Sequence, residues 1–191
     1  MGLVYKFGYS TATGEDKPFN YPNTWAVEKT SIGSERLIIA PNTEHVVLIR
    51  GLSELMTPPF WVLYVLLVPR TRVHSPGRYQ NPQPLTRKQL AAFLDRFRNY
   101  FEHDARHDVW VSEADGSSLL VYDQHNIIYA YGPLREYEQK LREKGLEQSQ
   151  EVALPAPHSH HYNPEYDVEE AALVNYFRWR ISPLQEEDDE A

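Results

Sequence analysis

Two short stretches concentrate imidazoles at spacings that suit a nitrogen-ligated metal. HDARH, residues 103 to 107, has the form of the H-E-x-x-H zinc helix with aspartate in place of glutamate, and on a helix His103 and His107 would share one face. Asp104 would then be the general base of a metal-dependent hydrolase. PAPHSHHYNPEYD, residues 155 to 167, sets His158 and His160 two apart, so an extended chain projects both to one side and His161 to the other. With His103 or His107 they would complete a zinc or nickel site, to which Asp167 or Glu165 could add oxygen. A plainer reading competes. His103 and His107 fall off the apolar stripe Leu90, Phe93, Phe97, Phe101, and histidines in a last helical turn complement the negative helix end. Pro155, Pro157 and Pro164 would hold the second stretch as an extended loop along the body. Nothing in the sequence brings the two groups together, so no cofactor is expected, with zinc as the alternative.

A third cluster is basic. Arg70, Arg72, His74 and Arg78 follow an apolar run, and Arg87 and Lys88 open a helix, where guanidinium forks and free backbone N–H groups suit an anion. The stretch has one glycine, Gly77, and so lacks a phosphate cradle; a protein carboxylate would serve Arg70, Arg72 and Arg78 as well as a phosphate. Nucleophilic catalysis has no support, since there is no G-x-S-x-G elbow and no cysteine. Glu169 and Glu170 read as first-turn carboxylates complementing a helix dipole.

These groups need a scaffold. The 191 residues are 41% hydrophobic, 13% aromatic and 24% charged, which suits one folded domain with an aromatic-rich core. The net charge of −8 is concentrated in EEDDE at residues 186 to 190. The remaining body is only mildly acidic, a balance that argues against duplex nucleic acid as the main partner. PPFWVLYVLLVP, residues 58 to 69, is too short to span a bilayer, and the N-terminus shows no signal-peptide core. With no cysteine, a cytoplasmic location is expected. Residues 1 to 184 are assigned to one α+β domain and 185 to 191 to an acidic disordered tail.

Alternation over residues 3 to 9 predicts a strand, and residues 10 to 24 a loop. RLIIA and HVVLIR, split by PNTE, predict a hairpin of strands 36–40 and 45–50. Residues 60 to 68 predict a central strand buried on both faces. Thr86 and Gln89 form a capping-box pattern ahead of the helix carrying Leu90, Phe93, Leu94, Phe97 and Phe101. A meander follows over 109–113, 118–123 and 127–131, then a helix opened by Pro133 and stopped at Gly145. Asp167 and Glu170 suggest a second capping box, for a helix from Val168 to about Ile181. The fold class is α+β, a mostly antiparallel sheet of about six to seven strands with about three helices packed on it.

The function expected from these features is a non-catalytic, soluble protein-interaction module, for instance an immunity- or antitoxin-like inhibitor. Tyr176, Phe177 and Trp179 on the last helix spread the apolar surface too widely for one covering layer, so they are expected at an interface with another protein or a second copy. The alternatives are the metal-dependent hydrolase and a small anion-binding domain.

Overall fold

The computed structural model describes residues 4–31 and 33–188. The chain is a mixed α+β fold built on a large, mostly antiparallel sheet. Among the described residues it has twelve strands in two sheets and five helices, more than the sequence suggests. The strands are β1 (Phe7–Ser10), β2 (Asp16–Pro18), β3 (Thr24–Lys29), β4 (Glu35–Ala40), β5 (Phe60–Leu66) and β6 (Gly77–Gln80). They continue with β7 (His107–Glu113), β8 (Leu119–Tyr122), β9 (Ile128–Tyr131), β10 (Glu147–Gln148), β11 (His158–His160) and β12 (Arg180–Ser182). The helices are α1 (His45–Ser53), α2 (Arg87–Arg96), α3 (Arg98–His103), α4 (Leu134–Glu143) and α5 (Asp167–Val174).

The large sheet runs β10-β3-β4-β9-β8-β7-β5-β6-β12, antiparallel except where β10 meets β3. Trp25, Leu37, Ile39, Val62, Tyr64, Val109, Val111, Leu120 and Ile128 point from it into one core shared with the helices, each 1% exposed or less. The meander β7-β8-β9 forms as the alternation requires. The helix after Thr86 starts with the full capping box, Thr86 N–H donating to Gln89 Oε1 at 2.9 Å and Gln89 N–H to Thr86 Oγ1 at 3.3 Å. Its stripe survives a break at Phe97 that divides α2 from α3. Helix α4 ends at Gly145, whose φ of +78° is the left-handed stop that glycine adopts without strain.

Four expectations are corrected. Residues 45 to 50 are helical: Glu44 turns left-handed (φ +59°), and Val46, Leu48, Ile49 and Leu52 bury one side of α1. The free N–H of Val46 is capped at 2.8 Å by Glu102 Oε1, a residue far along the chain. Strand β5 lies third from one sheet edge, and only Val65 on its outer side is sealed; Trp61 and Leu63 are half-buried. Residues 10 to 24, expected as a loop, contain β2. The C-terminal helix stops at Val174, where Trp179 Nε1–H donates to Leu173 O at 3.0 Å and the chain then returns as β12 beside β6.

The second sheet, β11-β1-β2, is antiparallel and closes a smaller core of Phe7, Tyr21, Ala40 and Ile127. The N-terminal strand begins at Phe7; Leu3 lies outside the described residues. Among the described residues no helix is long and apolar enough to cross a membrane.

Candidate functional site

The guanidiniums expected to await an anion are largely taken by the protein's own carboxylates. Arg70 forms a two-pronged pair with Asp167, its Nε donating to Oδ1 at 2.7 Å, while Arg72 is exposed. Behind them the fully buried Arg106 donates to Asp104 through Nε (2.6 Å) and Nη2 (2.9 Å), to Glu170 (2.6 Å) and Asp167 (3.2 Å) through Nη1, and to the carbonyl of Asn163. Asp167 and Glu170 form no capping box: Asp167 is already the first residue of α5 and both carboxylates are taken by arginines. Glu170, read from sequence as a dipole partner, is buried and also meets His74 Nδ1 at 3.2 Å. Asp104 is sealed inside this network and is not placed to act as a general base.

The aromatic C-terminal segment is partly covered by its own domain. Phe177 stacks on Phe93 with ring centroids 5.7 Å apart, and Trp179 and Tyr176 meet the same ring at 6.2 and 5.6 Å. Phe177 and Trp179 are half-buried; Tyr176 is the exposed member.

The histidines regroup. His103 ends α3 with Nδ1 on Asn99 O at 2.9 Å. His107 lies in β7, boxed by Tyr64, Tyr100 and Phe101, and burial with Lys6 and Arg106 nearby pushes its pKa well down, so it is a neutral core residue. Neither joins His158 and His160. Among the described residues the one group of three or more ligating side chains within mutual reach is His125, His158 and His160, with one ring nitrogen of each within 4.8 Å of the others.

Local structure explains that convergence. Lys6, 1% exposed, donates to the carbonyls of Asp123 (2.6 Å) and Phe101 (3.3 Å), which pins β1 to the large sheet. Burial lowers its pKa to about 8, against the pull of Asp123 and Asp108. β11 pairs with β1 in the register Phe7↔His160 and Tyr9↔His158, so both imidazoles share a face with Phe7 while His161 turns away to Asp16 at 2.9 Å. Asn163 holds the following chain through Nδ2–H bonds to Tyr5 O and His103 O. His125 comes from the β8–β9 turn, where Asp123 Oδ1 accepts from the N–H groups of His125 (2.9 Å) and Ile127 (2.8 Å). Burial and the neighbouring imidazoles of His125 and His158 push the pKa of His160 down to about 4.

A second feature lies on the outer face of the large sheet. The pairings Leu63↔Trp110, Trp61↔Ser112 and Leu63↔Gln80 put those side chains on one side, with Arg78 next along β6 and Arg180 opposite Gln80 on β12. They line a groove of about 440 Å³. Arg78 lies 5.1 Å from the Trp110 ring and Arg180 5.9 Å from that of Trp61. The acidic C-terminal stretch, expected to be disordered from residue 185, folds into a short turn (Glu186–Asp188) at the groove's end. Asp188, fully buried, accepts from Arg78 Nη1 at 2.9 Å and from Gln185 N–H at 2.7 Å; residues 189 to 191 lie outside the described residues.

Sequence reasoning missed Trp61, Trp110, Arg180, Asp123 and His125. Trp61 lies in a run that is apolar throughout, so no alternation in the sequence separates its outer face from its buried one. His125 falls in the gap between the second and third strands of the meander, where the sequence sets no other histidine beside it. Compared with known protein families, curated proteins and solved structures, the chain matches none.

Proposed function

We propose that the protein is a non-catalytic interaction module that takes an acidic, extended segment of a partner protein into the groove between Trp61, Trp110, Arg78 and Arg180. The observation that carries this reading is Asp188, a carboxylate already seated on Arg78 at one end of that groove. The chain's own end thus supplies an example of the chemistry the groove accepts. Beyond it the two indoles remain half-buried and Arg180 is exposed, which leaves aromatic surface and positive charge for further contacts. Tryptophan and arginine are the side chains that most often dominate binding energy at protein interfaces, because they bury large areas and lose little freedom for each contact formed. An immunity- or antitoxin-like inhibitor, acting by occupying its partner, is one form of this function.

The small-anion alternative has less support, because Arg70 and Arg78 are both paired with protein carboxylates. The hydrolase alternative loses its base, since Asp104 is locked to Arg106. The test is titration of the full chain with labelled peptides that alternate Asp or Glu with apolar residues, followed by tryptophan fluorescence and anisotropy. Saturable binding that weakens with salt and is lost in Arg180→Glu and Trp61→Ala is expected, with inorganic phosphate failing to compete. Equal binding of acidic and basic peptides, or binding unchanged in both variants, would refute the assignment.

A further inference from the structure

We propose that His125, His158 and His160 form a binding site for a divalent transition metal of the zinc class, which would tie the small sheet to the large one. This is independent of the groove and of any partner.

The argument starts from the ring nitrogens. His125 Nδ1 lies 2.9 Å from Asp123 Oδ2, and a carboxylate in this position accepts, so Nδ1 carries the hydrogen and Nε2 keeps a free lone pair. His158 Nδ1 lies 3.1 Å from the carbonyl of Pro155, which can only accept, so its Nε2 is free in the same way. His160 Nε2 is buried and has no hydrogen-bond partner among the described residues. A buried nitrogen without a partner is costly, and a metal ion would satisfy it. Ligating histidines commonly hold their second nitrogen on a carboxylate or a backbone carbonyl, and two of these three do so here.

The surroundings agree with the ligands. Phe7 packs against all three rings, 5.5 Å from His125, 5.5 Å from His158 and 5.8 Å from His160, and provides an apolar wall to one side of them. Imidazoles without a thiolate favour zinc, nickel or copper over the hard, oxygen-seeking magnesium and calcium. In a tetrahedral site with bonds of about 2.0 to 2.1 Å, ligand nitrogens stand about 3.3 Å apart, so the rings would draw inward from their present separations. His158 is exposed and has room to swing. The same exposure leaves a fourth position facing solvent, available to water or to an exogenous ligand.

The experiment uses the full chain purified without a histidine tag, stripped with a chelator and titrated with zinc by calorimetry, with metal content read after dialysis. One zinc per chain and a raised melting temperature are expected, with no response to magnesium. Cobalt(II) should give the intense visible absorption of a tetrahedral site. His125→Ala and His158→Ala should each lose roughly 100-fold or more in affinity, and Asp123→Asn, which keeps an oxygen for the turn's N–H groups, about 10- to 100-fold, because Asp123 orients a ligand and does not touch the metal. His158 is exposed, so its variant should keep the wild-type far-UV circular dichroism, and loss of zinc there cannot be ascribed to unfolding. His103→Ala should bind normally. Failure of the stripped protein to take up stoichiometric zinc, uptake unchanged in His158→Ala, or loss of zinc in His103→Ala would each overturn the assignment.

Discussion

Arg106 and Glu170, 64 positions apart in the chain, meet at 2.6 Å with both side chains sealed from solvent. Their contact fastens α5 to the start of β7, and the Asn163 carbonyl on the same guanidinium fastens the chain that leads into α5. Without Glu170 the guanidinium keeps Asp104 and the longer bond to Asp167, so its charge stays compensated, but it loses its short charge-assisted bond and His74 loses a partner. Glu170→Ala should therefore cost about 1.5 to 3 kcal/mol, a fall in melting temperature of roughly 3 to 12 °C for a chain of this size. Arg70→Ala, at an exposed pair with Asp167, should cost far less. Equal denaturant midpoints for Glu170→Ala and the wild type would sink this account.

Acid stability should depend on His45. Burial, with Lys6 and His103 nearby and against a bond to the Pro41 carbonyl, pushes its pKa from 6.5 down to about 3, and its ring stacks on Tyr122 at 5.4 Å. Between those two values the unfolded chain takes up a proton that the folded chain refuses. This group therefore costs nothing above pH 6.5 and removes stability as the pH falls below it. His45→Phe keeps the stack and removes the titration, so stability measured by urea unfolding should decline less steeply from pH 6.5 to 4. Parallel slopes for the two proteins would show that His45 is not responsible.

The aromatic cluster at the C-terminal end should behave as packing. Phe177 rests on Phe93 and is half-buried, so Phe177→Ala should cost about 2 kcal/mol, less than the roughly 3 to 5 kcal/mol of a fully buried phenylalanine. Light scattering should give the same mass for both proteins. A change of mass without a loss of stability would return these residues to the role of an interface.

Asp188 should compete with acidic ligands for Arg78. Asp188→Asn weakens the internal contact without removing the turn, and the variant should bind the acidic peptides about 10-fold tighter, the worth of one charge-assisted hydrogen bond. Weaker binding would mean that the Asp188 carboxylate helps to build the groove instead of occupying it.

Features encoded within a few consecutive residues are legible in the sequence. The meander of β7, β8 and β9 follows from alternation and turn residues, the start of α2 from Thr86 and Gln89, the end of α4 from Gly145, and the stripe from Leu90 to Phe101 from helical spacing. Each depends on backbone preference and local bonding, which neighbours in the chain supply. Residues 45 to 50 were misread because their β-branched side chains favour a strand, while the cap that supports the helix, Glu102, arrives from elsewhere. Asp167 and Glu170 match a capping box, but the helix starts one residue early, at Asp167, and folding brings Arg70 and Arg106 to the two carboxylates. Spacing correctly put His158 and His160 on one side. Their third companion is His125 and not His103 or His107, because β11 pairs with β1 and β1 is pinned by Lys6 beside the turn that carries His125. Such juxtapositions depend on which surfaces bury one another, a property of the whole chain that no window of residues contains.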